Sequence, residues 1–217
     1  MRVVLAGAHG QIALRLARRL GQAGDEVLGL IRNPDHASDV EDQGARAVLC
    51  DLERATVEEI AAAIEAADAA VFAAGAGPGS GAARKLSMDR DGAIKLLRAS
   101  EEAGVDRFLI LSAVGAEDPP DGDDDFSVYL RAKAEADQVV RGSATSWTIL
   151  RPGRLTDDPG RGSVRLDENP FRGEIPRDDV AALLARLLRE PGSVRKVLYV
   201  NSGPDALEAA LAALRHG

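Results

Sequence analysis

Residues 2–32 read RVVLAGAHGQIALRLARRLGQAGDEVLGLIR, and the order of apolar and glycine positions in this stretch decides the fold. Residues 2–6 form a short apolar run, which is typical of a strand in the middle of a parallel sheet. A turn over residues 7–13 follows, apolar residues then recur at helical spacing, and residues 26–31 form a second apolar run. A strand, a glycine-containing turn, a helix and a second strand make up half of a dinucleotide-binding unit.

The turn is spaced G-x-x-G-x-x-A rather than the commoner G-x-G-x-x-G. Gly7 would permit a tight turn, Gly10 would let the backbone approach a pyrophosphate, and Ala13 is small enough for helix and strand to pack closely. The free N–H groups at the start of a helix stabilise an anionic phosphate. We therefore expect a dinucleotide to contact the turn residues Gly7, Ala8, His9, Gly10, Gln11 and Ile12, whereas the alternative is an ordinary glycine turn.

Arg32 indicates which dinucleotide this unit would prefer. It ends the second strand, where an enzyme that prefers NAD usually carries an acidic residue for the ribose hydroxyls. A guanidinium there favours a 2′-phosphate and predicts NADP rather than NAD, although Arg32 could instead simply open the Arg-Asn-Pro turn. A third strand over residues 45–50 ends in Asp51 and Leu52, which in this architecture lie under the adenine. For Asp51, capping of the following helix is an equally good reading.

The remaining elements predict an α/β fold of the Rossmann type, with a doubly wound, mostly parallel sheet of seven strands. We expect the strand order 3-2-1-4-5-6-7, right-handed crossovers, helices on both faces, and a single domain over residues 1–217 with a minimal substrate cap near 154–177. After strand 69–73, which runs into Ala74 and Gly75, the patterns predict strands at 107–111, 146–150 and 196–200, helices at 83–103, 126–141, 178–189 and 204–214, and an irregular segment at 157–173.

Two loops have unusual compositions. Residues 75–81 read GAGPGSG and follow the carboxyl end of a strand, where open α/β sheets bind ligands, so we interpret them as an active-site loop, with a simple linker as the alternative. Residues 117–125 read EDPPDGDDD, which is typical of a solvated loop. A cation site there is the less favoured alternative, because no helix or strand would hold the carboxylates in place.

Composition excludes several classes of protein. The net charge of −8 and the absence of a basic cluster argue against a nucleic-acid partner. Cys50 is the only cysteine, so neither a disulfide framework nor a cysteine-based metal site is expected. No apolar run approaches the roughly 18 residues of a membrane helix, and the chain begins directly with a strand, so we expect a cytoplasmic protein without a membrane partner. We expect a small-molecule substrate, no metal, and a monomer or weak homodimer.

Ser112, Tyr129 and Lys133 form the one set of residues whose placement suggests catalysis. Ser112 follows the strand over 107–111, while Tyr129 and Lys133, four residues apart, share one face of the next helix. A phenol has a reference pKa of about 10, and a nearby ammonium favours its ionised form. Ser112 could bind a substrate carbonyl while Tyr129 transfers the proton. The histidines, at positions 9, 36 and 216, support neither a zinc triad nor a Ser-His hydrolase.

The chain resembles an atypical short-chain dehydrogenase/reductase of the small NAD(P)H-binding branch, which includes biliverdin reductase B-like and NmrA-like proteins. The resemblance covers nearly the whole chain and is carried by G7-A-H-G-Q-I-A13, Arg32, D51-L52, A73-A-G75, D89-R-D-G-A93, L111-S-A113, Y129-L-R-A-K133, L150-R-P-G153 and R177-D-D-V-A181.

The resemblance implies a role for each matched residue. It implies that the glycine turn binds the pyrophosphate, Arg32 the 2′-phosphate, Asp51 and Leu52 the adenine, and Ala74 and Gly75 the ribose. It also implies that the nicotinamide is surrounded by Ser112, Tyr129, Lys133, Pro152, Gly153, Arg154 and Leu155. Many relatives have Asn near position 89, where this chain has Asp89, which puts a proton relay through that residue in doubt.

These observations together predict an NADP-dependent oxidoreductase that acts on a small carbonyl or related substrate. One alternative is a nucleotide-sugar epimerase or dehydratase that uses the same Ser-Tyr-Lys chemistry, but only 64 residues follow Gly153, which leaves little room for a sugar-binding domain. The other alternative is a non-enzymatic protein that senses NADP or acts as an adaptor, although such a protein needs no Ser-Tyr-Lys set. The fold alone does not identify a substrate.

Overall fold

A nine-stranded sheet runs through the centre of this computed structural model, which describes residues 1–77 and 79–215. Its strand order is β11-β8-β10-β6-β5-β4-β1-β2-β3, and β7 and β9 pair separately. The strands are β1 Arg2–Ala6, β2 Glu26–Ile31, β3 Arg46–Leu49, β4 Ala69–Phe72, β5 Arg107–Leu111, β6 Ser146–Pro152, β7 Arg154–Thr156, β8 Ser163–Asp167, β9 Glu174–Pro176, β10 Lys196–Ser202 and β11 Asp205–Ala206.

The fold class and the predicted order of the seven parallel strands are confirmed, with β10 as the seventh. The predicted count of seven strands is wrong, because β8 pairs antiparallel with β10 and β11 pairs antiparallel with β8. The segment 157–173 is therefore not irregular throughout. Val164 of β8 is fully buried, whereas the residues on either side of it are polar. Such a short alternation, in a segment rich in glycine and proline, is too weak a pattern to predict a strand.

Helices cover both faces of the sheet. They are α1 Gln11–Gln22, α2 Ala37–Glu41, α3 Val57–Ala63, α4 Ala82–Arg84, α5 Ala93–Glu102, α6 Asp125–Gly142, α7 Arg177–Leu187 and α8 Leu207–Ala213. A π-helical segment, Lys85–Gly92, joins α4 to α5, and short 3₁₀ turns occur at Pro34–His36 and Pro191–Ser193. The helix predicted over 83–103 is therefore present but contains a π-helical interior, a geometry that often marks functional sites.

Alternation along β1 divides the core into two layers. Val3 and Leu5 pack into the cluster that includes α1, α7 and α8, whereas Val4 and Ala6 pack into the cluster that includes α3 and α5. Successive strand side chains point to opposite faces, so a strand that is apolar throughout must be covered on both sides. This arrangement explains why residues 3–6 are continuously apolar.

Strand register brings the predicted site residues to one edge of the sheet. Ala6 at the end of β1 lies opposite Leu30 of β2 and Phe72 of β4. The chain segments that leave these three strands therefore start level with one another, at the point where the strand order reverses and where open α/β sheets bind ligands. Within the described part of the chain, no helix has the length and apolar character needed to cross a membrane.

Candidate functional site

The turn after β1 requires glycine for two physical reasons. Gly7 has a φ of +77°, and a Cβ atom there would lie 2.5 Å from the Cα of Ala74. A Cβ at Gly10 would lie 3.0 Å from the carbonyl oxygen of Gly7. The same oxygen accepts a hydrogen bond from the Gly10 amide at 2.8 Å. The backbone of the turn thus packs directly against the segment after β4, and a larger residue at position 7 would separate the two.

The start of α1 is open to an anion. Gly10 is the N-cap, no side chain caps this end, and the first turn contains no acidic residue. The first N–H groups of a helix have no partner within the helix, and the macrodipole favours negative charge there. A phosphate bound at this end would satisfy both, as the sequence predicts.

A cavity of about 290 Å³ lies on one side of the turn. The turn residues Gly7, Ala8, His9 and Gly10 line it together with Arg32, Asp51, Leu52, Ala74 and Gly75. These are residues for which the resemblance implies contacts with the pyrophosphate, the 2′-phosphate, the adenine and the ribose. Ala76, which also lines this cavity, belongs to the predicted active-site loop. Sequence reasoning assigned no site role to six further lining residues, namely Leu30, Ile31, His36, Ala73, Arg84 and Met88.

Two arginines of this cavity meet at one carboxylate. Arg32 donates a hydrogen bond to Glu53 Oε2 at 3.3 Å, and Arg84 Nε lies 3.5 Å from the same oxygen. Asp51 Oδ1 accepts from the amide of Glu53 at 3.0 Å, so Asp51 holds a turn while α3 is capped by Thr56 instead. Capping of α3 by Asp51 is therefore wrong, whereas its contact with adenine stays a prediction, made from a position in the cavity wall.

A second cavity of about 530 Å³ lies on the other side of the turn. Gly10 and residues 73–76 line both cavities, so the two form neighbouring compartments across the ends of β1 and β4. The larger one is also lined by Gln11, Ile12, Ser112, Tyr129, Lys133 and Leu155. The two glycines of the turn, the uncapped helix start and the paired compartments are compatible with a bound dinucleotide.

Tyr129 and Lys133 lie on α6 and share the wall of the larger cavity, as their spacing predicts. The Lys133 ammonium lies 5.8 Å from the Tyr129 ring centre and 5.4 Å from that of Phe72. Burial raises the pKa of the Tyr129 hydroxyl, Lys133 opposes the shift, and Asp89 and Asp137 reinforce it. The lysine acts in the predicted direction, but burial outweighs it, so the phenol stays protonated at neutral pH.

Asp89 forms a buried ion pair with Lys133. The two side chains are 1% and 4% exposed, and Lys133 Nζ lies 3.3 Å from Asp89 Oδ1. Lys133 also donates to the carbonyl of Leu111 at 3.0 Å, and Asp89 Oδ2 accepts from the amide of Ala76 at 3.0 Å. Burial would lower the pKa of Lys133, but Tyr129 and the neighbouring carboxylates raise it on balance. Asp89 thus connects the lysine to the loop that follows β4.

Ser112 has a partner that sequence reasoning did not predict. Its hydroxyl donates to Asp137 Oδ2 at 2.7 Å, and the same oxygen accepts from Arg151 Nη2 at 2.8 Å. Arg151 also donates to the hydroxyl of Tyr199 at 2.7 Å. Ser112 lines the cavity, but its single proton is directed at a buried carboxylate rather than at a ligand. A Ser112 hydroxyl in this position offers its lone pairs to the cavity, and it donates to a carbonyl only after leaving Asp137.

Of the four residues predicted at positions 152–155 around the nicotinamide, Leu155 alone lines the cavity. Pro152 is buried in β6, and Arg154 is exposed and forms an ion pair with Glu174 of β9. A Cβ at Gly153 would clash with Asn201, so that glycine permits a close approach of two strands. The segment implied by the resemblance therefore reaches the cavity, but the path of its backbone directs only the Leu155 side chain toward it.

The two unusual loops differ in their relation to the site. Residues 75–77 and 79 line the larger cavity, as expected for an active-site loop, while Pro78 lies outside the described residues. The acidic segment 117–125 is mostly exposed, as predicted, and Arg131 holds it by donating to the carbonyls of Pro120 and Gly122 at 2.7 and 2.6 Å.

Four residues with charged or aromatic side chains line the larger cavity but were not identified from the sequence as site residues, namely Lys85, Asp125, Phe126 and Arg177. Arg177 was part of a quoted motif, R177-D-D-V-A181, but had no assigned role. The only sequence signal for Phe126 is an aromatic residue next to an acidic run, at the start of the helix that carries Tyr129. Lys85 carries no such signal, because its inward direction depends on the π-helical turn.

Comparisons with known proteins identify the family of this chain. Residues 7–191 match the family model described as NAD(P)H-binding. The "Uncharacterized sugar epimerase YhfK" of Bacillus subtilis (strain 168) is 36% identical over 212 residues, which cover 97% of this chain and 99% of the relative.

Two solved structures extend this similarity to three dimensions. One, from Bacillus halodurans and described as an NAD-dependent epimerase/dehydratase, is 32% identical, covers 100% of both chains and has a TM-score of 0.91. The oxidoreductase ylbE from Lactococcus lactis is 27% identical, with 100% of this chain and 98% of that chain covered and a TM-score of 0.90. The resemblance to the small branch of atypical short-chain dehydrogenases/reductases is confirmed, and the chain belongs to the NAD(P)H-binding family.

Proposed function

We propose that this protein is an NADP-dependent reductase of a small carbonyl compound, with Tyr129 as the proton donor. One observation carries the proposal: Tyr129 and Lys133 line the same cavity as the helix start at Gly10 to Ile12. A dinucleotide held by that helix start would extend its reactive end toward the tyrosine. A bound NADPH supplies the hydride in such chemistry.

The electrostatics of the site favour reduction. The raised pKa of Tyr129 keeps its hydroxyl protonated, which is the form that a general acid needs. As the carbonyl carbon accepts the hydride, the carbonyl oxygen takes the electron pair of the π bond and the Tyr129 proton. The resulting phenolate is stabilised by the nearby Lys133 ammonium until solvent returns a proton. Lys133 stays charged because Asp89 balances it in the buried site.

The preference for NADP over NAD is part of the proposal. Arg32 and Arg84 both line the smaller cavity. The Glu53 carboxylate holds the two guanidinium groups near each other. Two guanidinium groups at an adenosine site suit a 2′-phosphate, because such groups bind phosphate oxygens through charge-assisted hydrogen bonds.

An epimerase is the second candidate, since similar proteins carry that description. The same Tyr129 and Lys133 could remove and return a proton on a sugar, while a bound nicotinamide cofactor would take up and return the hydride. The chain after Gly153 forms four strands of the two sheets, β7 to β10, the short β11 and two helices, which leaves few residues for a sugar-binding domain. We therefore favour the reductase.

The test is a panel of aldehydes, ketones, quinones and flavin, with NADPH oxidation followed by absorbance. Tyr129→Phe keeps the ring and should lower turnover by roughly 10²–10⁴-fold, the usual contribution of a general acid, with NADP affinity changed by less than about tenfold. Tyr199→Phe is the matched control, because Tyr199 is the other tyrosine and does not line either cavity. An active enzyme that is indifferent to Tyr129→Phe would exclude the proposed acid. Interconversion of a nucleotide sugar without net NADPH oxidation would favour the epimerase.

A further inference from the structure

Lys85 is a buried cation in the wall of the larger cavity that the proposed reaction does not use. Its side chain is 8% exposed, and it begins the π-helical segment Lys85–Gly92. A π-turn widens the helix and redirects the side chains on it, and such turns are common at functional sites. Burying an ammonium costs free energy unless a partner compensates it. The position of Lys85 therefore calls for a partner.

The described residues provide Lys85 with only a weak partner. Its ammonium lies 3.9 Å from Asp125 Oδ2, and Asp125 is 53% exposed. No acceptor among residues 1–77 and 79–215 lies within hydrogen-bond distance of it. The other lysines of the site region differ: Lys133 is within 3.3 Å of Asp89, and Lys95 donates to three backbone carbonyls at 3.1 Å. Lys85 thus has donors left for a ligand in the cavity.

Phe126 provides an apolar surface on the same wall. It is 62% exposed and is one of three large hydrophobic side chains that are exposed in the described chain. Its ring lies 6.2 Å from that of Tyr129, with the two planes 29° apart. An exposed aromatic side chain beside a cavity is typical of a surface that a ligand covers.

We propose that the substrate is a small apolar or aromatic carboxylate, whose anionic group binds Lys85 and whose body lies against Phe126. This inference rests on the proposed function, since it directs the carbonyl of such a substrate toward Tyr129. A carboxylate fits better than a phosphate because of the charged side chains that line the cavity. Three are basic and two are acidic, namely Lys85, Lys133, Arg177, Asp89 and Asp125. Their formal excess of one positive charge balances one negative charge and leaves a second one uncompensated. Asp125 then competes with the substrate for the same ammonium.

Calorimetry on the NADP-saturated protein tests this directly, with benzoate and its neutral analogue benzamide as probes. Wild type should bind benzoate at least about tenfold more tightly than benzamide, the lower end expected for a charge-assisted hydrogen bond. Lys85→Met should abolish the difference, while Lys85→Arg should keep most of it. Asp125→Asn should tighten benzoate binding several-fold. The matched control is Lys196→Met, because Lys196 pairs with Glu168 away from the cavity and should leave both affinities unchanged.

Equal binding of the two probes to wild type, or a benzoate preference that survives Lys85→Met, would overturn the inference. A loss of NADP affinity in Lys85→Met with unchanged benzoate preference would likewise overturn it, because Lys85 would then serve the cofactor. Turnover of 4-formylbenzoate and its methyl ester separates the two proposals. If neither is reduced while the benzoate preference depends on Lys85, the reductase fails and the carboxylate site stands. If both are reduced equally without such a preference, the reductase stands and the carboxylate site fails.

Discussion

Replacing Asp89 by asparagine should destabilise the protein by about 3 kcal/mol. The Lys133 and Asp89 charges lie 3.3 Å apart and are almost wholly buried. At an effective dielectric constant near 20, their attraction is about 5 kcal/mol, and removing one partner of a buried pair typically costs about 3–5 kcal/mol. Asparagine has nearly the same shape and can still accept from the amide of Ala76, which is why we expect the lower end of that range.

Urea unfolding at neutral pH measures this loss as a change in the free energy of unfolding. Asp91→Asn is the matched control on the same helical segment, because Asp91 is 44% exposed and should change stability by less than about 0.5 kcal/mol. The double variant Asp89→Asn with Lys133→Met should be more stable than the sum of the single losses implies, since neither charge then remains unpaired. A loss below about 1 kcal/mol for Asp89→Asn, or strict additivity in the double variant, would refute the buried-pair reasoning.

Three further outcomes follow from the same structure. Arg32→Ala should weaken NADP binding by about 1.5–3 kcal/mol, the range for hydrogen bonds to charged groups, and leave NAD binding nearly unchanged in calorimetry. Because burial raises the pKa of Tyr129, the acid form persists, and reductive kcat/KM should stay level through neutral pH and fall only well into the alkaline range. Burial would raise the pKa of Asp25, but Arg189 and the N-terminal ammonium lower it on balance. The free energy of unfolding should therefore fall less steeply with decreasing pH in Asp25→Asn than in wild type.

Each of these outcomes has its own control or contradiction. For Arg32, the control is Arg54→Ala, whose side chain is 91% exposed, and equal losses for NADP and NAD would remove Arg32 from the phosphate site. A decline of kcat/KM between pH 6 and 8 in the absence of substrate ionisation would contradict the raised pKa of Tyr129. The Asp25 charge stabilises the fold above its unfolded pKa of about 4, and this contribution disappears as pH falls through the lower folded pKa. A free energy of unfolding that falls as steeply with decreasing pH in Asp25→Asn as in wild type would contradict that contribution.

Much of the fold was predictable from local pattern. Residues 2–32 are apolar where a parallel strand is covered on both faces, and Gly7 stands where φ is positive and a Cβ would clash with Ala74. These requirements restrict which residue types can stand at each position. They can therefore be inferred from the residue types and their spacing in the sequence. The same holds for Tyr129 and Lys133, whose spacing of four residues on one helix places them on one face.

The antiparallel edge of the sheet was harder to predict from the sequence. Ser163–Asp167 contains one buried valine, and the pairing partners of this strand are distant in sequence, on β10 and β11. Short strands become strands through such pairing rather than through their own propensity. The prediction of seven strands therefore counted only those with a continuous apolar run.

By itself, the amino-acid sequence determined the doubly wound fold, the order of its seven parallel strands and the edge at which the site lies. Only the tertiary structure decided that Ser112 donates to Asp137, that Asp89 neutralises Lys133, and that Lys85 faces the cavity. The physical reason is the range of the interactions. Backbone geometry and side-chain periodicity act over a few residues, whereas a buried charge takes its partner from whichever distant segment the completed fold brings within about 3 Å.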